Sequence, residues 1–156
     1  MEKVILSNSY FADIANILKQ GESVKLLVGG NSMYPFIHGN IDLVELIPYC
    51  GEDLPRWTII FYCYNGHYMI HRIVGKSTTD YIMMGDGNIR AKEKAGPDNI
   101  FGILYRVYYP NGNVLDCSSS DWLMKGAIWY HLRLFRRILI KILRILDAIS
   151  INKSRS

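Results

Sequence analysis

The sequence lacks any long apolar run. Although 49% of its 156 residues are hydrophobic, no stretch reaches the roughly 18–20 consecutive apolar residues that a helix needs to cross a bilayer. Residues 1–8 also lack the apolar segment of a signal peptide. The sequence therefore predicts neither a transmembrane span nor a secretory leader, and it favours a cytoplasmic protein or one bound peripherally to a membrane.

Paired cysteines are lacking as well. The chain has three cysteines, Cys50, Cys63 and Cys117, and no two of them have the close spacing of a metal-binding motif. An odd number of widely spaced cysteines favours structural thiols in a reducing compartment over a disulfide framework or a zinc site. We therefore expect neither a metal ion nor another cofactor.

Acidic residues are scarce near the C-terminus. Residues 122–156 carry eight Lys or Arg and one acidic residue, Asp147, which gives a net charge of +7. Residues 1–121 carry ten basic and thirteen acidic residues, which gives −3. This asymmetry predicts two parts, a β domain over residues 1–117 and a basic helical tail over residues 118–156.

The first of these parts has a mainly β pattern. Six runs rich in Val, Ile, Tyr and Phe are typical of strands, and Asn65-Gly66 between two of them is a strong hairpin signal. The predicted strands are residues 24–28, 41–47, 57–64, 67–74, 81–84 and 100–109, with a short one at 114–116. The polar residues 87–99 predict a loop. Apolar spacing over residues 9–20, with Ser9 as a cap and Gly21 as a stop, predicts a short N-terminal helix.

The tail has the pattern of a basic amphipathic helix from residue 122 to about residue 149, and any break is expected near Gly126. The basic side chains on one side of it are Arg133, Arg136, Arg137, Lys141 and Arg144. This pattern is typical of a helix that lies in a membrane interface. The alternatives are a helix packed on the β body with a solvated basic face, or a protein partner. A nucleic acid is disfavoured because the tail lacks an aromatic stacking platform.

One short stretch has the composition of a catalytic turn. It reads Gly29-Gly30-Asn31-Ser32-Met33-Tyr34-Pro35, and Gly39-Asn40 follows closely. The glycines allow backbone conformations closed to other residues and Pro35 fixes φ, so Ser32 can direct its hydroxyl and its backbone N–H into one small volume. Most such turns are only turns, but this arrangement also suits a nucleophile with an oxyanion-binding donor.

Two downstream residues can complete a catalytic unit. On the predicted strand 67–74, His71 shares a face with two apolar residues, while Arg72 faces the other way. A histidine on such a face is often a core residue, but an imidazole, with an ordinary pKa of about 6.5, is also the natural general base for a serine hydroxyl. Asp86, between two glycines, is either a turn residue or the acid that orients the imidazole.

Five sequence blocks, taken in order, resemble the signal peptidase superfamily (signal peptidase I and LexA-like serine peptidases), which includes the self-cleaving repressor peptidases. The blocks are Gly30-x-Ser32-Met33-x-Pro35, Ile59-Ile60-Phe61, Ile70-His71-Arg72-Ile73-Val74, Gly85-Asp86-x-Asn88 and Phe101-Gly102-Ile103. They lie within residues 23–107. Because a histidine stands where other branches use a lysine, the chain is most similar to the endoplasmic-reticulum and archaeal branch.

This resemblance implies a signal-peptidase-like β-fold and a serine endopeptidase that removes a leader or signal segment from a peptide or protein precursor. The residues it assigns are Ser32 as the nucleophile, His71 as the general base, Asp86 as the supporting acid, and Gly30, Met33 and Pro35 as substrate-binding residues. The resemblance implies a peptide or precursor protein as the partner at the site, and the basic amphipathic pattern predicts a membrane surface as the partner of residues 122–156.

The chain departs from the family at three places. Asn40 replaces an acidic residue, Arg56-Trp57 replaces a Gly-Asp pair, and Gly30 has no hydroxyl to contribute to an oxyanion hole. These departures keep open a non-catalytic peptide-binding module on the same fold. A self-cleaving repressor-type peptidase is a weaker alternative, because the only Ala-Gly, Ala95-Gly96, lies downstream of Ser32.

Overall fold

The computed structural model of the protein describes residues 8–153 of the chain and the side chains of residues 8–150. The predictions made for residues 1–7, and for residues 154–156 of the tail, lie outside this range.

Within this range eight antiparallel strands form one sheet, which confirms the predicted mainly β class. The strands are β1 Val24–Leu27, β2 Leu43–Pro48, β3 Ile59–Tyr64, β4 His67–Lys76, β5 Tyr81–Met84, β6 Glu93–Ala95, β7 Ile100–Tyr108 and β8 Val114–Asp116. The helices are α1 Asn8–Lys19, α2 Ser120–His131 and α3 Arg136–Lys153. The strand order is β1-β2-β7-β3-β4-β5-β6, with β8 paired to β7.

Two details differ from the sequence predictions. The polar segment 87–99, predicted as a loop, contains the short strand β6, which pairs with β5. The tail is not broken at Gly126, because α2 continues through it and the chain turns instead at the 3₁₀ segment Leu132–Leu134. Gly126 allows close packing of α2 on Arg72. A Cβ at this position would lie 2.4 Å from Arg72 Nη1, so only glycine lets the helix approach the buried guanidinium so closely.

Helix α1 packs on the sheet against β7. Its inner face buries Ile14, Ala15 and Leu18, and a Cβ at Gly102 on β7 would lie 2.9 Å from Leu18 Cδ1. Helix and central strand are therefore in direct contact, and the preceding turn of the helix carries Phe11 towards the sheet, where it packs against the core.

Helix α2 packs against β4 and the end of β5. Its first turn is capped by the Ser119 hydroxyl, which accepts from Trp122 N–H, and Trp122 is buried in the main core. Trp129 Nε1 donates to the Asp86 carbonyl oxygen at 2.7 Å. The predicted boundary between residues 117 and 118 remains a prediction, but α2 is joined to the β body by these contacts.

Helix α3 contacts the body at Tyr34 and at the first residue of the helix, Arg136. Tyr34 Oη donates to Asp147 at 2.7 Å, and the Arg144 guanidinium lies over the Tyr34 ring. Arg136, which the sequence analysis assigned to the basic side of the tail helix, is 1% exposed and bonded to backbone carbonyls. Within residues 8–153, no helix combines the length and apolarity needed to cross a membrane.

Candidate active site

The turn that carries Ser32 follows β1 and is held from two sides. Gly30 has a φ of 74°, the left-handed conformation that its lack of a side chain permits. A Cβ at Gly39 would lie 1.6 Å from the Gly30 carbonyl oxygen, so the two glycines are in close backbone contact. On the other side, Gly87 N–H donates to the Ser32 carbonyl oxygen at 2.7 Å. The local glycine pattern therefore fixes the backbone of Ser32.

The loop between β5 and β6 brings Ser32 and His71 to one place. A Cβ at Gly85 would lie 2.5 Å from the Ser32 carbonyl oxygen and 3.1 Å from His71 Nε2. The Ser32 carbonyl oxygen and His71 Nε2 are therefore no farther apart than the sum of these two distances. Ser32 and His71 also line the same cavity. The structure therefore places the Ser32 backbone near His71 Nε2, with both residues at one cavity.

The other ring nitrogen of His71 faces a carboxylate and a phenol. Nδ1 lies 3.2 Å from Glu93 Oε2 and 3.0 Å from Tyr62 Oη, and the Tyr62 hydroxyl lies 3.2 Å from the same Glu93 oxygen. The imidazole side chain is 5% exposed and the Glu93 side chain 13% exposed. His71 is thus a buried histidine with polar partners on one side and the cavity on the other.

These contacts determine the position of the imidazole proton. An ionised carboxylate only accepts hydrogen bonds, so Tyr62 donates its single proton to Glu93. The Tyr62 oxygen and the Glu93 oxygen are then both acceptors for Nδ1, and Nδ1 carries the proton of the neutral ring. Nε2 is left with a free lone pair on the Ser32 side, as a general base requires.

The electrostatics of the group keep Glu93 ionised. Burial acts to raise the pKa of this carboxyl, but the hydrogen bonds from His71 and Tyr62 outweigh burial, and the pKa lies below its ordinary value. Burial and the adjacent carboxylate raise the pKa of Tyr62 well above its usual range, so its hydroxyl remains a donor. A fixed negative charge therefore stands beside Nδ1.

Asp86, the predicted supporting acid, has a different partner. Its carboxylate accepts hydrogen bonds from two nitrogens of Arg72, with shortest distances of 2.9 Å from Nε and 2.7 Å from Nη2. The alternation along β4 explains this, because Arg72 points to the face opposite His71. Asp86 and Arg72 are both buried, and their ion pair joins β4 to the β5–β6 loop, while the Asp86 carbonyl oxygen accepts from Trp129 of α2. The acid at His71 is Glu93, which the sequence analysis missed.

A cavity of about 330 Å³ opens beside this group. Its walls are mostly apolar and come from α1, β3, β4 and the Ser32 turn. The lining residues besides Ser32, His71 and Glu93 include Phe11, Val28, Met33, Phe61, Tyr68 and Asn88. Of the three residues predicted to bind substrate, Gly30 and Met33 line the cavity, whereas Pro35 is not among its lining residues.

Asn40, one of the residues at which the chain departs from the signal peptidase pattern, has a local structural role. Asn40 has a φ of 62°, a left-handed conformation that asparagine tolerates, and its N–H donates to the Val28 carbonyl oxygen at 2.7 Å. Asp42 is 1% exposed and accepts from His38 N–H at 2.7 Å, so this nearby acid stabilises the segment after the Ser32 turn. Both residues therefore shape the backbone, and neither carboxylate nor amide is a partner of His71.

Within residues 8–153, no cluster of three or more His, Cys, Asp or Glu side chains is placed to hold a metal ion. Of the three free cysteines, Cys117 is buried, and burial raises the pKa of its thiol to about 12. No protein-family model matches the sequence, and no curated protein is significantly similar to it.

Proposed function

We propose that this protein is a serine endopeptidase with Ser32 as the nucleophile, His71 as the general base and Glu93 as the acid that orients His71. The observation that carries the proposal is the position of the imidazole, with Nδ1 bonded to Glu93 and Tyr62 and Nε2 next to the Ser32 backbone. A core histidine needs neither a carboxylate on one side nor a cavity on the other.

The reaction follows from these positions. Nε2 of His71 takes the Ser32 hydroxyl proton as Oγ attacks a peptide carbonyl carbon, and the imidazolium returns that proton to the leaving amine as the C–N bond breaks. Water then attacks the acyl-enzyme, with His71 again as the base. The Asn88 side-chain amide lines the cavity near the Ser32 carbonyl and, with the Ser32 N–H, offers donors for the developing oxyanion.

The substrate binds in an extended conformation. Strand β4 pairs with β5 only from Arg72 to Lys76, and within the described residues no strand covers the same edge of its first half, which lines the cavity. Strand β1 is the last strand at the other end of the sheet and leads into Val28 and Gly29, which line the opposite wall. A peptide between these edges gains main-chain hydrogen bonds, and its side chains fill the apolar cavity.

The substrate class that fits best is a peptide or protein precursor whose leader or signal segment is removed. The extended, apolar groove and the five sequence blocks of the signal peptidase superfamily support this assignment, and a signal-peptidase-like fold accounts for the β sheet around the site. Gly30 supplies no hydroxyl, so the oxyanion depends on backbone and amide donors.

The test is cleavage of a diverse mixture of precursor-length peptides, followed by mass spectrometry. The native chain is expected to cut, and Ser32→Ala and His71→Ala are each expected to abolish cutting while the circular dichroism spectrum is retained. Cleavage retained in Ser32→Ala would overturn the mechanism. Binding of peptides without any cleavage by the native chain would favour the peptide-binding module instead.

A further inference from the structure

The outer side of α3 is apolar and has no cover within the described chain. Six large apolar side chains on and just before this helix are between 47% and 63% exposed. We call them the outer stripe: Phe135, Ile138, Ile142, Ile145, Leu146 and Ile149. A surface helix ordinarily turns its apolar stripe towards the core, so this helix is oriented the opposite way.

The contacts of α3 with the body fix this orientation. Ile138, Ile142, Ile145 and Ile149 recur at helical spacing and share one face. The residues that face the body lie elsewhere on the helix: Asp147 accepts from Tyr34, and Arg136 is buried. The outer stripe is therefore directed away from the β sheet.

Positive charge borders the outer stripe. A second hollow of about 330 Å³ lies where α3 begins, and its lining residues are Ile89, Arg90, Arg133, Leu134 and Arg137. Three of these five are arginines, and none is acidic. The one acidic residue of α3, Asp147, is engaged by Tyr34 and lies 3.8 Å from His38. We call Arg90, Arg133 and Arg137 the arginine hollow. Leu134 at its rim is 84% exposed.

We infer that the outer stripe and the arginine hollow form a docking surface for an anionic phospholipid membrane. The stripe enters the boundary between head groups and acyl chains, and the guanidinium groups of the hollow bind lipid phosphates. Charge complementarity selects this occupant, because a wide apolar stripe next to a cluster of cations matches an apolar layer under a negative surface. A nucleic acid would satisfy the arginines but leave the stripe in water.

The docking surface is joined to the candidate active site through Arg136 and the β5–β6 loop. Arg136, the first residue of α3, donates to the carbonyl oxygens of Gly85 and Asn88, on the loop that packs against Ser32. The same loop continues into Arg90 of the hollow. Given the proposed peptidase activity, docking places the cavity at a fixed position near the membrane, where precursors emerging from or lying on the membrane are the accessible substrates.

Co-sedimentation of the full chain with vesicles tests the inference. We expect the protein to sediment with vesicles of phosphatidylcholine mixed with phosphatidylglycerol, to remain largely in solution with phosphatidylcholine alone, and to dissociate as salt is raised, since surface charge is screened. Absence of sedimentation with the anionic vesicles at low salt would overturn it.

Two variants separate the stripe from the charges. Ile138→Asn/Ile145→Asn and Arg90→Glu/Arg137→Glu are each expected to weaken binding on the order of tenfold or more. The matched controls, Ile41→Asn/Val114→Asn and Lys19→Glu/Lys94→Glu, change exposed residues elsewhere and are expected to bind like the native chain. Equal loss in variant and control would overturn the site, and native binding by either test variant would remove that part of the surface.

The outcome does not depend on catalysis. Ser32→Ala is expected to sediment like the native chain, because Ser32 lies in the cavity and not on the docking surface. If peptide cleavage fails but vesicle binding follows the pattern above, the docking inference stands without the peptidase. If cleavage succeeds and vesicle binding fails, only the docking inference is overturned.

Discussion

Glu93 Oε2 lies 3.2 Å from His71 Nδ1, on the side of the ring away from Ser32. The two residues come from strands on either side of β5, since β4 carries His71 and β6 carries Glu93 at its first position. The sheet therefore determines the distance between the Glu93 carboxylate and the His71 imidazole.

Replacement of the acid tests this relationship directly. Glu93→Gln keeps the shape but removes the charge that stabilises the imidazolium, and its amide can also donate to Nδ1 and select the wrong tautomer. We expect kcat/KM for peptide cleavage to fall on the order of 10²-fold or more. Unchanged kcat/KM with only a lower stability would mean that Glu93 is structural.

Tyr62 is expected to have a smaller effect. Tyr62→Phe removes a hydroxyl that bridges His71 and Glu93 but leaves the carboxylate beside Nδ1. One hydrogen bond of this kind is worth about 1 kcal/mol, so we expect a loss in kcat/KM on the order of fivefold. The measurement is the same peptide assay, run beside Glu93→Gln. If Tyr62→Phe lowers kcat/KM as much as Glu93→Gln does, the Tyr62 hydroxyl is at least as important as the carboxylate for the function of His71.

Asp86→Asn is expected to act on stability. The carboxylate is 3% exposed and bonded twice to Arg72, which is itself fully buried. Removing one charge leaves the other buried and unpaired, which costs about 3–5 kcal/mol of unfolding free energy. Urea denaturation measures this, and Asp13→Asn on the exposed side of α1 is the control, with an expected change within about 0.5 kcal/mol. An Asp86→Asn variant that is as stable as the native chain but fails to cleave peptide would show that Asp86 takes part in catalysis.

The sequence was sufficient to predict much of this arrangement. Period-two alternation along residues 67–74 correctly predicted that His71 and Arg72 face opposite sides, and the glycines around Ser32 predicted a constrained turn. The same alternation explains why Asp86 does not contact His71: the Asp86 carboxylate pairs with Arg72, which lies on the opposite face of β4. The pairing itself was not predictable, since nothing local indicates which side of β4 the end of β5 will face.

Glu93 was missed for a different reason. Its strand is three residues long, Glu-Lys-Ala, within a polar segment, and the strand has no β-branched or aromatic residue. Pairing with β5 produces this strand, so tertiary context overrides local propensity. The burial of Arg136 could not be predicted from the sequence either, because a buried arginine and a solvated arginine have the same helical spacing.

Gly85→Ala is expected to disable the site through packing. An added Cβ would lie 2.5 Å from the Ser32 carbonyl oxygen and 3.1 Å from His71 Nε2, so the serine turn or the imidazole must shift. We expect cleavage to fall on the order of 10²-fold, as a displacement of about 1 Å can cause, together with reduced stability. Gly75→Ala is the control, because its nearest neighbour is an Ile82 methyl at 3.5 Å, an ordinary contact. Native activity in Gly85→Ala would show that the close approach has no catalytic importance.

The lowered pKa of Glu93 also predicts a pH-dependent contribution to stability. A carboxyl whose pKa is lower in the folded state than its ordinary value of 4.5 stabilises the fold fully above that value, and the contribution is lost as pH falls through the folded-state pKa. The amide that Glu93→Gln introduces cannot titrate. We therefore expect the difference in unfolding free energy between the native chain and Glu93→Gln to be constant at neutral pH and to shrink below about pH 4.5. Urea titrations of both chains at several pH values measure this difference, and a difference that persists unchanged in acid would show that the ionised carboxylate does not stabilise the fold through His71 and Tyr62.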